Sequence, residues 1–210
     1  MRFVIAIGAC CLLAGAMRAG PITFQFTGTV TQVPVDEVFG DIDFGQNISG
    51  SYTFESTSID GDSGDPATGS YRAPSGDPYS FNVTVGGHSF STNFLLGIGV
   101  FNAAVDQYTV LAEDSGAAET FSIFLQNPTG TVFSNDSLPL SPPPLKAFSP
   151  SLVAFQMDVN TGDGEVQVDG TIDSLSSAAI PEPSTFTLLA AGCAVLWIAR
   201  RRKPYEKATE

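Results

Sequence analysis

The sequence predicts an all-β protein: an antiparallel two-sheet sandwich, jelly-roll-like, flanked by an N-terminal signal helix and a C-terminal transmembrane helix. Apolar and polar residues alternate with a period of two over many short segments, which is typical of strands with one buried face. Glycine-rich turns separate these segments, as in sandwiches of short strands. Between residues 20 and 179 the sequence shows no amphipathic helix pattern.

Individual strands are predicted where the alternation is clearest, and nine or ten are expected in all. The segments are 23–33, 51–55, 79–85, 107–112, 120–126, 153–159 and 166–168. Gly86 and Gly87 predict a two-residue hairpin turn that leads into a further strand at 88–92. Residues 127–150 carry six prolines, which excludes a central strand and predicts a covering loop.

The N-terminus has the parts of a secretory signal peptide. Arg2 is followed by a short apolar stretch and then by small residues, which is the order that signal peptidase substrates show. Residues 1–19 are therefore predicted to be removed, with cleavage after Ala16 or after Ala19. The alternatives are a buried helix of the body and a lipoprotein signal at Cys10.

The C-terminus predicts a membrane anchor. Residues 186–199 carry no charge, and Arg200, Arg201, Arg202 and Lys203 follow directly. Cations after an apolar helix place that end in the cytoplasm, and residues 204–210 would form a cytoplasmic tail. A soluble helix is disfavoured because the segment offers no polar face.

Pro181, Glu182 and Pro183 precede this apolar helix and its basic cluster. Residues 180–203 resemble the PEP-CTERM sorting signal of bacterial surface proteins. The resemblance implies export, transient anchoring in the inner-membrane lipid and processing by an exosortase, a membrane transpeptidase. It also implies a Gram-negative cell that makes exopolysaccharide or biofilm. It does not extend to the body of the chain.

The exported body, residues 20–179, is strongly acidic. It has two basic residues, Arg72 and Lys146, against 19 acidic residues, a net charge of −17. This charge excludes nucleic acid as a partner. The body contains no cysteine, so no disulfide supports it and its core alone must hold it together.

Residues with catalytic potential are few. His88 is the only histidine and follows the Gly86-Gly87 turn, where a solvated polar residue is expected. A secreted hydrolase of the glycosidase type needs two carboxyl groups beside a sugar-binding cleft. Its candidate acids and sugar-stacking aromatics are Glu37, Glu55, Glu113, Glu119, Glu165, Tyr52, Tyr71, Tyr79 and Tyr108.

An acidic, glycine-containing segment raises a metal hypothesis. Asp60, Asp62 and Asp65 are close together in the sequence, and closely spaced carboxylates bind hard cations such as Ca²⁺. The spacing does not match an EF-hand, so the alternative is an acidic surface loop. No other cofactor is predicted.

These observations predict a non-enzymatic surface or extracellular-matrix protein that is exported and anchored at its C-terminus. The resemblance implies processing by an exosortase and exopolysaccharide as the partner outside the cell. The alternatives are a carbohydrate- or calcium-binding module and a secreted hydrolase.

Overall fold

The computed structural model describes residues 20–33, 42–73, 78–114, 116, 119–160 and 165–178. These residues form ten β-strands and two short 3₁₀ helices, Leu145–Ala147 and Pro150–Leu152. The strands are β1 Pro21–Gln32, β2 Asn47–Glu55, β3 Thr68–Ala73, β4 Ser80–Val85, β5 His88–Thr92, β6 Leu95–Asn102, β7 Asp106–Glu113, β8 Glu119–Asn127, β9 Val153–Asn160 and β10 Glu165–Ser177.

All ten strands belong to one antiparallel sheet. Their order is β3-β6-β7-β8-β9-β10-β1-β2-β4-β5. The first and last strands, β1 and β10, are therefore neighbours in the middle of the sheet, with Phe24 opposite Ser177. The predicted all-β antiparallel class is confirmed, whereas the division into two separate sheets is not, because the described strands form a continuous hydrogen-bonded ladder.

The sheet curls so that distant strands meet through its inner face. Strands five positions apart would lie about 24 Å from each other in a flat sheet. Nevertheless Phe81 of β4 and Phe121 of β8 stack with ring centroids 5.3 Å apart. Two residues, Asn93 and Phe94, join β5 to β6, although these strands are eight positions apart in the sheet order. Such a link spans about 10 Å, so the curl brings the two ends of the sheet together.

Bulges and glycines in the central strands accompany this curvature. The register between β1 and β10 shifts between Thr27 and Gly28 and again between Val30 and Gln32. A side chain at Gly28 would overlap the carbonyl oxygen of Thr171. Bulged, glycine-containing strands twist and bend more strongly than regular ones. The sequence thereby favours a curled sheet over a flat one.

The inner face of the sheet is the hydrophobic core, and aromatic rings dominate it. Phe24, Phe26 and Phe155 are at most 1% exposed. Tyr52 of β2 and Tyr108 of β7 are fully buried, and their hydroxyl groups share a 3.0 Å hydrogen bond across the interior. Burial, above all, raises the pKa of both phenols. This bond gives each buried hydroxyl a partner.

Replacing one tyrosine of this pair should cost more than replacing both. Tyr108→Phe leaves the Tyr52 hydroxyl buried without that partner, and we expect a loss of about 1 to 2 kcal/mol in unfolding free energy. The double variant Y52F/Y108F removes both polar groups, so its loss should be smaller than the sum of the single losses. Urea unfolding of the four proteins measures this cycle, and strict additivity would contradict a coupled pair.

The predicted covering loop is confirmed. Residues 128–149 connect β8 to the second 3₁₀ helix without any strand, and Phe148 is 4% exposed in the core. Asp106 of β7 is fully buried, and its Oδ2 accepts hydrogen bonds from Val132 N at 2.6 Å and Phe133 N at 2.9 Å. One buried carboxylate thus fixes the middle of this loop.

The polar end of β8 fixes both ends of the same loop. Asn127 Nδ2 donates to the carbonyl oxygen of Ala147 at 2.6 Å. Its Oδ1 accepts from Thr129 N at 2.8 Å. Asn127 lies directly opposite Asp106 in the ladder between β7 and β8. The two side chains together attach the loop to the adjoining ends of β7 and β8.

All eight individually predicted strands are found, and two further strands, β3 and β6, lie where no individual strand was predicted. β3 is short, and β6 reads LLGIGVFN without polar residues at its outward positions. The described residues contain no helix long and apolar enough to cross a membrane. The predicted signal helix and transmembrane helix lie in residues 1–19 and 180–203, outside the described part of the chain.

Candidate functional site

The outer face of β1, β2, β4 and β5 carries an ordered array of uncharged polar side chains. In the strand register Gln25 lies opposite Ser51, which lies opposite Asn82 and then Ser91. A second row, displaced by two residues along each strand, pairs Thr27 with Ser49, Ser49 with Thr84 and Thr84 with Ser89. This array, here called the hydroxyl face, consists of Gln25, Thr27, Ser49, Ser51, Asn82, Thr84, Ser89 and Ser91.

Cross-strand hydrogen bonds order these side chains. Ser91 Oγ donates to Asn82 Oδ1 at 2.8 Å, and the hydroxyl groups of Thr84 and Ser89 lie 3.0 Å apart. Six of the eight residues are exposed, while Ser51 and Thr84 are half-buried. A hydroxyl group both donates and accepts, so this exposed array keeps hydrogen-bonding capacity for a ligand.

A shallow groove of about 540 Å³ runs across the strands between the two rows. Its floor is the backbone of the residues between them, among which are Phe26, Gly50 and Val83. The ring of Phe26 lies on the inner side of the sheet, under Gly50, where a Cβ atom would come within 2.8 Å of Phe26 Cε1. Glycine at position 50 therefore leaves room for the Phe26 ring in the core beneath the groove.

This face is uncharged in a body of net charge −17. Acidic side chains of the sheet lie outside it, as on β9 and β10, where Asp158 accepts from Gln156 and Asp173 accepts from Thr29. A carboxylate repels other anions and is costly to desolvate. An uncharged face suits a neutral, hydroxyl-rich ligand.

The acidic loop predicted to bind Ca²⁺ uses its carboxylates within the chain. Asp60 Oδ1 accepts from Asp62 N and from Ser70 N, both at 2.9 Å. Asp65 accepts from Ala67 N at 2.9 Å and from Thr68 Oγ1 at 3.0 Å. Among the residues described, no group of three or more His, Cys, Asp or Glu side chains is placed to hold a metal ion. Calcium binding by Asp60, Asp62 and Asp65 stays a prediction.

The same loop covers an edge of the sheet. β3 is one of the two edge strands of the described sheet, and Gly61 N donates to the carbonyl oxygen of Ser70 at 2.8 Å. Ser70 N in turn donates to the Asp60 carboxylate. Both outward-facing backbone groups of Ser70 therefore have partners in the acidic loop. Covered edges resist pairing with other chains. The acidic loop has a structural role that its composition did not indicate.

The glutamates considered for hydrolysis lie at the ends of strands or outside the described residues. Glu113 and Glu119 lie at the adjoining ends of β7 and β8, and burial, with Asp114 next, raises the pKa of Glu119. Four concavities of the described chain are lined by no glutamate. Glu55 ends β2, Glu37 lies outside the described residues, and so does the side chain of Glu165.

The aromatic residues considered for sugar stacking belong to the interior. Tyr52 and Tyr108 are fully buried and Tyr71 is 8% exposed, so these three are wrong as stacking candidates. Tyr79 is half-buried and packs against the core. His88 begins β5 directly after the Gly86-Gly87 turn, as the sequence predicts, but its side chain is half-buried rather than fully solvated.

No protein-family model, curated protein or solved structure matches this chain. The resemblance of residues 180–203 to a sorting signal therefore stays a prediction. Pro181, Glu182 and Pro183, and the basic cluster Arg200, Arg201, Arg202 and Lys203, lie outside the described residues.

Proposed function

We propose that this chain is an exported, non-enzymatic surface or matrix protein whose body binds a neutral polysaccharide through the hydroxyl face. The observation that carries the proposal is the pair of uncharged polar rows flanking a groove. Polysaccharide hydroxyl groups need partners that both donate and accept, and serine, threonine and amide side chains supply them. The curled sheet would act as a sandwich-like scaffold, a proposal that the contact between Phe81 and Phe121 supports.

Binding at such a face would be weak at each site and strong over a long polymer. The face has no aromatic ring on which a sugar can stack, and an exposed neutral hydrogen bond contributes only about 0.5 to 1.5 kcal/mol. A polymer with repeated units, contacting many anchored protein copies, gains avidity without new contacts. This property suits a matrix protein better than a receptor for a small sugar.

The net charge of the body selects among polymers. Nineteen acidic residues against two basic ones repel nucleic acids and acidic polysaccharides at low ionic strength. A neutral polymer experiences no such repulsion. We therefore infer that exopolysaccharide without carboxylate or phosphate groups is the preferred partner.

New charges beside the groove should weaken polysaccharide binding. The double variant S49E/S51E places one carboxylate in each row, on either side of the groove, and binding would require their desolvation. We expect at least about a tenfold loss of affinity, or about 1.4 kcal/mol. The measurement is retention of the full-length protein on immobilised neutral polysaccharides such as dextran and cellulose, together with a glycan array.

The matched control is Ser122→Glu, a half-buried serine on the outer side of β8, away from the hydroxyl face. It adds the same kind of charge but should leave retention unchanged. Equal losses in both variants would contradict the assignment to the hydroxyl face. Blank arrays for the unaltered protein would reject polysaccharide binding altogether.

The export part of the proposal rests on the two ends of the sequence. We expect that replacing Pro181, Glu182 and Pro183 by alanine leaves the C-terminal anchor uncleaved, because an exosortase would recognise that tripeptide. The membrane fraction of the host should then contain the uncleaved protein, as measured by intact mass. Pro204→Ala, beyond the basic cluster, is the control. Normal processing of the triple variant would oppose this part of the proposal.

A further inference from the structure

Two side-chain oxygens without a hydrogen-bond partner lie where the described body begins. The carbonyl oxygen of Gly20 accepts a hydrogen bond from Ser56 N at 3.5 Å. The next residue, Pro21, is paired directly with Glu55 at the end of β2. Glu55 Oε1 and Ser56 Oγ are both buried, and among the described residues neither has a hydrogen-bond partner.

These two oxygens require a compact donor. A buried carboxylate oxygen without a donor loses its hydration and gains nothing in return. Of the body's two cations, Arg72 belongs to β3 and Lys146 to the first 3₁₀ helix, and neither donates a hydrogen bond to Glu55 Oε1 or Ser56 Oγ. An ammonium group carries three N–H donors and a positive charge, which meets the needs of a carboxylate and a hydroxyl together.

We propose that cleavage of the signal peptide after Ala19 creates this donor, and that the new α-ammonium group of Gly20 binds Glu55 Oε1 and Ser56 Oγ. The inference rests on the proposed function because it requires export. In the cleavage, water adds to the carbonyl carbon of Ala19, and the bond from this carbon to the nitrogen of Gly20 breaks. Ala19 is released with a terminal carboxylate. The nitrogen of Gly20 departs as an amine and takes up a proton.

The pairing distinguishes the two cleavage sites that the sequence leaves open. Cleavage after Ala16 would leave Met17, Arg18 and Ala19 ahead of Gly20. The ammonium group would then lie three residues beyond the position opposite Ser56. Only cleavage after Ala19 places it at the residue that is already hydrogen-bonded to Ser56.

The first measurement is N-terminal sequencing and intact mass of the protein secreted by its host. A first residue of Gly20 is expected. A first residue of Met17 would overturn the inference without contradicting the proposal that the protein is exported. An uncleaved chain beginning at Met1 would reject the export proposal itself, so the two failures are distinguishable.

The second measurement is the pKa of the terminal amine. It is obtained from the pH dependence of the rate at which this amine is acylated in the native protein. An opposite charge favours the protonated form, so this pKa should lie about one unit above its ordinary value of about 7.7. The stability from this pair is fully present below the ordinary pKa and is lost as pH rises through the raised pKa.

Glu55→Gln should return the amine pKa to its ordinary value and remove this pH dependence. Asp43→Asn, an exposed residue before β2, removes the same charge and should leave the pKa raised. Equal pKa values in the unaltered protein and the Glu55→Gln variant would overturn the pairing.

Discussion

Asp106→Ala is expected to destabilise the body by about 3 kcal/mol, because two backbone N–H groups of the covering loop lose their side-chain acceptor. Asp106 Oδ2 holds Val132 N and Phe133 N, and Phe133 packs against Phe148 with ring centroids 6.1 Å apart. Release of this segment should also open the loop to proteases. Urea unfolding measures the stability loss, and limited proteolysis with peptide mapping locates the opened segment.

Two further variants test this explanation for Asp106. Asp106→Asn keeps an amide oxygen for the two N–H groups and replaces Oδ1, which has no hydrogen-bond partner among the described residues. We expect a smaller loss of about 1 kcal/mol for it. Asp43→Ala, at an exposed carboxylate, should change stability by less than about 0.5 kcal/mol. If Asp106→Ala unfolded at the same urea concentration as the unaltered protein, the carboxylate would not hold the loop.

Gly50→Ala should cost roughly 2 to 3 kcal/mol, since an added methyl group has no room. Its Cβ would overlap the carbonyl oxygen of Asn82 and approach Phe26 Cε1 to 2.8 Å. Phe26 cannot give way freely because its ring lies among Tyr52, Phe81 and Phe155. The midpoint of urea or thermal unfolding measures the effect.

Another strand glycine supplies the matched control for Gly50. At Gly97 of β6 the nearest atom to an added Cβ is Arg72 Cγ, at 4.0 Å. Gly97→Ala should therefore be neutral or stabilising by about 0.5 kcal/mol, as expected where alanine reduces the freedom of the unfolded strand. The double variant G50A/F26L should recover part of the Gly50→Ala loss. Equal destabilisation by the two glycine variants would contradict the packing argument.

The class of fold could be predicted because the alternation of apolar and polar residues within a strand shows which of its side chains are buried. In β1, Phe24, Phe26 and Val30 face the core while Gln25 and Thr27 face outward, and alternation of this kind is visible in the sequence alone. β6 lacked the signal because Gly97 and Gly99 occupy its outward positions, leaving a nearly continuous apolar run. Such a run does not distinguish a strand from a buried helix.

The hydroxyl face could not be predicted, because it depends on which strands are neighbours. Thr27, Ser49, Thr84 and Ser89 form one row only through the pairing of β1 with β2, β2 with β4 and β4 with β5. Each of these residues separately reads as an ordinary outward position. Residue types alone pointed to carboxylates and tyrosines instead, and three of the four tyrosines, Tyr52, Tyr71 and Tyr108, are buried in the core.

The central pairing of β1 with β10 has a kinetic consequence. The middle of the ladder stays unpaired until the last strand has been made, since 132 residues separate the end of β1 from the start of β10. Contacts so remote along the chain form slowly. A polypeptide crossing a membrane from its N-terminus would emerge with β1 exposed and able to pair wrongly until translocation is nearly finished. Holdase chaperones outside that membrane would therefore raise the yield of the native protein.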